Sequence, residues 1–205
     1  MDPSPPARSD PGDWFDRQTA LIVVDVQNDF ADPTGSLAVA GAERVVAAVD
    51  GLVAEARAAG ALLAYTQDWH PPHTPHFAQD GGIWPVHCVA GTWGATFHPL
   101  LTVAGPVVRK GVHGEDGYSG FTMRDPVSAE TAVTGLADLL EEHRIVRLVV
   151  VGLATDHCVK ATVLDGLRLG YAVRVPREAV AAVDLHPGEG DRALEEMGLA
   201  GASLA

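Results

Sequence analysis

A cysteine, a lysine, two carboxylates and a run of histidines give this 205-residue chain its reactive chemistry. Cys158 closes residues 149–158 (VVVGLATDHC), which read as a buried strand leading into the first turn of a helix. Backbone N–H groups at such a turn point outward and the helix dipole favours negative charge. A thiol there is expected to ionise readily, beside amides able to stabilise an oxyanion. Taken alone, the cysteine fits a small buried hydrophobe better, since free cysteine is among the most buried residue types. Asp25 sits inside an apolar run, where an ionised carboxylate is expensive unless paired. Lys110 ends another apolar run and is its natural partner. The pair reads either as a structural ion pair at a sheet edge or as acid/base machinery beside the thiol, with the lysine setting charge and geometry. No Gly-x-Ser-x-Gly elbow offers a serine nucleophile instead.

Five of the nine histidines (His70, His73, His76, His87 and His98) fall between residues 70 and 98. Asp68 and His70, two apart, can converge on one ion from a turn, and His76 and His87 could close the site. Mixed imidazole and carboxylate ligation suits zinc, iron or manganese. A polar, solvated loop with incidental histidines accounts equally well for the composition.

The elements that must hold these groups alternate between two periods. Residues 20–26 form a continuous apolar, β-branched run, as expected of a strand covered on both faces. Ala42–Ala59 carries apolar residues at helical spacing, and Gly60 fits its stop. Residues 61–66 and 106–110 read as further strands, separated by a long aperiodic segment, 68–99, of the kind that is usually functional. A helix over 129–143, a strand over 146–151, a helix over 157–169 and a strand over 171–175 follow. Residues 179–183 extend the sheet or lead into a last helix near 191–198. Strands alternating with helices imply an α/β fold, a three-layer sandwich with a mostly parallel central sheet flanked by helices. Ligands in such sheets bind beyond the carboxyl ends of the strands. Asp25, Asp68 with His70, Lys110 and Cys158 each fall at such an end, and four consecutive reactive strand ends are poorly explained as solvated surface.

Composition bounds the rest. Apolar content of 47% with 20% charged residues is that of a globular chain. Residues 1–18, rich in Pro, Asp and Ser, read as a flexible tail, and 19–205 as a single domain. The balance of 14 basic against 27 acidic residues, with no basic cluster, argues against a nucleic-acid partner. No apolar run approaches the ~20 residues of a membrane span and the N-terminus lacks a signal-peptide core, so the expectation is no membrane and a cytoplasmic location. Two cysteines are too few for a disulfide scaffold. Oligomeric state, a homo-oligomer included, is left open.

Seven segments, in order across residues 20–185, share one resemblance: 24–30 (VDVQNDF), 35–39 (GSLAV), 68–70 (DWH), 84–88 (WPVHC), 110–111 (KG), 118–121 (YSGF) and 152–159 (GLATDHCV). With them the chain resembles the isochorismatase-like cysteine hydrolases, and within these the nicotinamidases. The resemblance implies a catalytic triad of Asp25, Lys110 and Cys158. It implies a cis peptide between Leu153 and Ala154 that aims the N–H groups of Ala154 and Cys158 at an oxyanion. It implies a divalent metal held by Asp68, His70, His76 and His87, and a pocket for a planar ring flanked by Phe30 and Trp84, with Tyr118 lining the same cavity. Hydrolysis of nicotinamide to nicotinate and ammonia through a thioester is the implied activity, with pyrazinamide as a further substrate. The alternatives are another small amide or carbamoyl compound, isochorismatase-type vinyl-ether hydrolysis, and a catalytically idle interaction protein. Residues 111–117 depart from the family pattern and leave the cavity rim open.

Overall fold

The structure, a computed structural model, describes residues 14–205. Residues 1–13 of the expected tail lie outside the described residues. Residues 14–18 lie against the body of the protein: Trp14 and Phe15 pack on the core, and Asp16 accepts from Thr19 Oγ1 and pairs with Arg147.

A seven-stranded sheet forms the middle layer. Its strands are β1 (Thr19–Val24), β2 (Leu62–Asp68), β3 (Val107–Lys110), β6 (Arg147–Leu153), β7 (Ala172–Val175), β8 (Val180–Ala181) and β9 (Ser203–Leu204). The order is β3-β2-β1-β6-β7-β9, with β8 also paired to β6, and every pairing in this sheet is parallel. A separate antiparallel hairpin joins β4 (Thr122–Arg124) to β5 (Thr131–Val133). The helices are α1 (Asn28–Ala31), α2 (Ala42–Ala59), α3 (Leu136–Glu142), α4 (Lys160–Arg168) and α5 (Glu189–Leu199). The three-layer α/β sandwich expected from the sequence is therefore the architecture observed.

Alternation along β1 shows how the layers form. Leu21 and Val23 join one core with Val45, Val49 and Val53 of α2. Ala20, Ile22 and Val24 join the other with Leu136 and Leu140 of α3, Val163 of α4 and Met197 of α5. Side chains of successive strand residues point to opposite faces. A strand buried on both faces must therefore be apolar throughout, and all six residues of β1 are buried.

The helix expected over 129–143 is only half present. Residues 131–133 form β5, and α3 begins at Leu136 after Gly135 at φ +94°. Thr131, Val133 and Thr134 are β-branched and carry no helical apolar period, so the hairpin prevails there. The helix expected over 157–169 starts at Lys160, because Thr155–Val159 forms one π-helical turn.

The strand order places the site. From β1 the chain builds outward through β2 and β3, then returns to the other side of β1 with β6. The crevice between β1 and β6, at their carboxyl ends, is the switch point where open α/β sheets bind ligands. Gly152 permits the approach of the two strands there, since a Cβ on it would lie 2.1 Å from the Val24 carbonyl oxygen.

Candidate active site

Asp25 follows β1 in a left-handed conformation (φ +47°) and is fully buried. Both its carboxylate oxygens are engaged. Oδ1 accepts from Thr66 Oγ1 at 2.6 Å, and Oδ2 accepts from Lys110 Nζ at 2.7 Å. Thr66 lies on β2 and Lys110 ends β3, so three adjacent strands supply this contact. Lys110, also fully buried, donates to the Gly117 carbonyl and lies 3.0 Å from Asp68 Oδ1. Asp25, Asp68 and Cys158 bring ligand-type atoms within 4.8 Å of one another. The aspartate, lysine and cysteine singled out in the sequence thus converge at the switch point.

The electrostatics follow from burial. Desolvation, only partly offset by Lys110, raises the Asp25 carboxyl to about 6, and the neighbouring Asp68 adds to the rise. Burial would also raise Asp68, but Lys110, His70 and His87 outweigh it and hold that carboxyl well below the usual range. The two carboxylates keep Lys110 firmly charged against its own desolvation. Cys158 departs from expectation. Burial pushes its thiol well above the ordinary value; Lys110 opposes this, while Asp25 and Asp68 reinforce it. The expected readily ionised thiol overlooked how completely the π-turn sinks Cys158 among carboxylates. Burial among carboxylates thus favours the thiol form, and a base lies beside it.

Ala154 and Cys158 both line the adjacent cavity, and the Leu153–Ala154 peptide is cis. Asp156, also in the π-turn, fastens the turn by accepting from the backbone N–H groups of Val183 and Asp184.

The histidine segment folds back over this centre. His70, His76 and His87 are buried, and each brings a ring nitrogen within 4.8 Å of the others. Asp68 Oδ2 lies 3.7 Å from His70 Nε2 and 3.9 Å from His87 Nε2. Both separations are too long for hydrogen bonds. His70 is fully buried, yet neither of its ring nitrogens has a hydrogen-bond partner among the described residues. A buried imidazole without partners is costly in a purely structural role. It fits a ligand position, as do the donor types: neutral imidazoles plus one carboxylate suit a divalent transition metal. Burial holds His87 down at about 4, in the neutral form a ligand requires. His87 Nδ1 is engaged by the Pro85 carbonyl at 2.8 Å and His76 Nδ1 by Asp116 Oδ1 at 2.6 Å. Gly111 (φ +68°) leaves room for His70, whose ring a Cβ there would meet at 2.4 Å. His73 lies outside the cluster on the surface, paired with Asp80. Cys88 is a buried free thiol whose backbone N–H donates to Asp29.

The cavity between the two clusters holds about 390 Å³ of empty space, mouth included, and its walls are largely apolar. Phe30, Trp84 and Tyr118, the residues the resemblance assigned to a ring pocket, line it together with Asp68, His76 and His87. Leu37 also reaches the cavity. The Trp84 indole N–H donates to Tyr118 Oη at 2.8 Å, which locks two walls together.

Four contributors escaped the sequence reading. His157 stands between Trp84 and Tyr118, with ring centroids 4.8 and 6.0 Å away. Its place beside Cys158 was the available signal. Gln27 is fully buried and clamps the ends of β1 and β2, donating to the Asp68 carbonyl and accepting from the Asp68 N–H. It stands in the 24–30 segment, where a glutamine between buried residues marks a polar clamp. Thr66 and Asp116 gave no signal in sequence, because only pairing across strands and loops brings them to Asp25 and His76.

A family model for the isochorismatase domain matches residues 19–205. A nicotinamidase of Escherichia coli (strain K12) is 37% identical over 203 residues, covering 90% of this chain and 93% of its own. Among solved structures, a protein of L. infantum in complex with nicotinate superposes with a TM-score of 0.84 at 34% identity, covering 93% of this chain and 94% of its own. The pyrazinamidase of Pyrococcus horikoshii in complex with zinc has a TM-score of 0.80 at 35% identity, covering 92% and 98%.

Proposed function

The chain belongs to the isochorismatase family, and from that membership we propose that it hydrolyses nicotinamide to nicotinate and ammonia with Cys158 as nucleophile. One observation carries the reading: Cys158, with Asp25 buried within 4.8 Å behind it, opens on the same small apolar cavity as Asp68, His76 and His87. A small, largely apolar cavity walled by aromatic side chains suits a single flat ring. Phe30, Trp84 and Tyr118 offer the aromatic surface such a ring prefers. A divalent metal held by Asp68, His70, His76 and His87 would supply an electrophilic anchor for the pyridine nitrogen, with zinc, iron and manganese all suited to the donors.

The chain's own groups carry the proton and bond changes. Asp25, ionised above about pH 6, takes the Cys158 thiol proton as sulfur attacks the carboxamide carbon. Lys110 and Thr66 hold the carboxylate in place. The carbonyl oxygen becomes an oxyanion received by the Ala154 and Cys158 amides. Collapse breaks the C–N bond, and Asp25 returns its proton to the departing amine, releasing ammonia and leaving a nicotinoyl thioester. Water then attacks the thioester carbon while Asp25 accepts its proton. The C–S bond breaks, the sulfur is reprotonated from Asp25, and nicotinate leaves.

Pyrazinamide differs from nicotinamide by one ring nitrogen and is expected to turn over in the same cavity; a relative in Pyrococcus horikoshii is itself a pyrazinamidase. We place the reaction in the cytoplasm, because both cysteines are free and a thiol nucleophile is best preserved in a reducing compartment. Among the described residues no helix is long and apolar enough to cross a membrane. Ammonia release from nicotinamide, measured with and without a metal chelator, tests the proposal. Turnover that chelation removes and zinc, iron or manganese restores supports it. Absence of turnover with every metal, or turnover of other small amides alone, overturns it.

A further inference from the structure

Residues 111–117, expected from the sequence to depart from the family pattern, lie against both halves of the site. Gly117 accepts from Lys110 Nζ at one end of the loop. In its middle, the Gly114 carbonyl accepts from Thr74 Oγ1 at 2.6 Å, and that same hydroxyl oxygen accepts from the His76 N–H. Asp116 then meets His76 Nδ1 at 2.6 Å. The His76 side chain is 4% exposed and Asp116 20%, so water competes little for the contact. Asp116 is itself pinned by reciprocal backbone bonds with Arg124 on β4, of 2.7 and 3.0 Å.

An ionised carboxylate only accepts hydrogen bonds, so the imidazole proton belongs on Nδ1 and the lone pair on Nε2. We infer that Asp116 is a positioning residue for the histidine cluster: it fixes the tautomer and ring orientation of His76, leaving Nε2 as its donor atom to the ion. His87 gets equivalent support from a backbone carbonyl two residues away, but His76 depends on a side chain forty residues distant. Carboxylates behind metal-binding histidines raise ligand basicity and typically govern affinity by about 10- to 100-fold. The inference rests on reading His70, His76 and His87 as metal ligands.

The test is zinc affinity by competition with a chromogenic chelator, on the full chain and on two variants. Asp116→Asn keeps the shape, removes the charge and permits the wrong tautomer. Thr74→Val releases the loop tether but leaves the imidazole contact. The expected result is zinc binding weakened about 10- to 100-fold in Asp116→Asn and clearly less in Thr74→Val. Equal affinity for Asp116→Asn and the parent overturns the inference, as does an equal loss in both variants, which would assign the effect to loop placement. A second readout needs no substitution. Nitrogen-15 NMR of the metal-free parent should show the His76 proton on Nδ1, and a proton on Nε2 overturns the inference. Should the parent bind no zinc, iron or manganese, the metal reading fails, and this inference with it.

Discussion

Each carboxylate oxygen of Asp25 has a partner, Thr66 on one and Lys110 on the other. Neither ring nitrogen of His70 has one among the described residues, though both residues are fully buried. The two clusters share Asp68 as a wall, so the difference is not one of location. It lies in what each is built to meet. Both oxygens of Asp25 are partnered by the chain itself, from the strands beside it. The histidine cluster, on irregular segments, is left unsatisfied where an ion of opposite character would satisfy it. Buried polar groups without partners destabilise a fold by about 1–3 kcal/mol each, and such a deficit is most economically explained by a ligand.

Four substitutions break or sharpen that contrast. The largest effect belongs to Cys158→Ala, which should lower turnover on the order of 10⁴-fold or more. Zinc binding and the thermal midpoint should stay near those of the parent, because the substitution removes one buried sulfur and leaves the Asp25–Lys110 pair and the histidines in place. Next is Lys110→Met. It strands two adjacent buried carboxylates, so denaturant titration should show a loss of about 3–5 kcal/mol. His70→Leu is the counterpart in the other cluster. In chelator it should unfold within about 1 kcal/mol of the parent or later, since an unpartnered imidazole is replaced by an apolar side chain. Added zinc should stabilise the parent but not this variant. A large loss in His70→Leu without metal would show that the histidine cluster is as self-sufficient as the other, and the contrast would fall.

The smallest effect sharpens the chemistry. Asp25 must be ionised to take the thiol proton, so kcat/KM should rise with pH through about 6 and level off above it. Thr66 bonds the ionised form and lowers that value. Thr66→Val should therefore move the acidic limb toward higher pH, by up to about one unit. A limb that stays in place would remove Thr66 from the account of Asp25.

How much of this was legible in sequence follows from how local each feature is. Asp25, Lys110 and Cys158 betray themselves as polar residues bounding buried strands. The strand alternation then places them together, because parallel sheets bring consecutive carboxyl ends to one edge. Asp68 and His70 were legible for the same reason, whereas His76 and His87, inside the aperiodic segment, were pointed to only by composition and by the resemblance. The Cys158 environment was not: a π-turn and an α-helical first turn share one sequence pattern, and only the fold revealed the depth of burial that reverses the expected ionisation. The β4–β5 hairpin was hidden because its strands are short and largely exposed, with no buried face to impose a period of two. Asp116 was hidden because its partner lies forty residues away, across a loop whose path the sequence does not state.

The central claim is that Cys158 becomes acylated by the substrate ring. Rapid acid quenching of the metal-loaded enzyme mixed with nicotinamide, followed by peptide mass spectrometry, tests it directly. The account expects a nicotinoyl adduct on the peptide carrying Cys158, formed within the first turnover and absent from Cys158→Ala. Steady ammonia release with no adduct in the parent, and turnover surviving in Cys158→Ala, would contradict it.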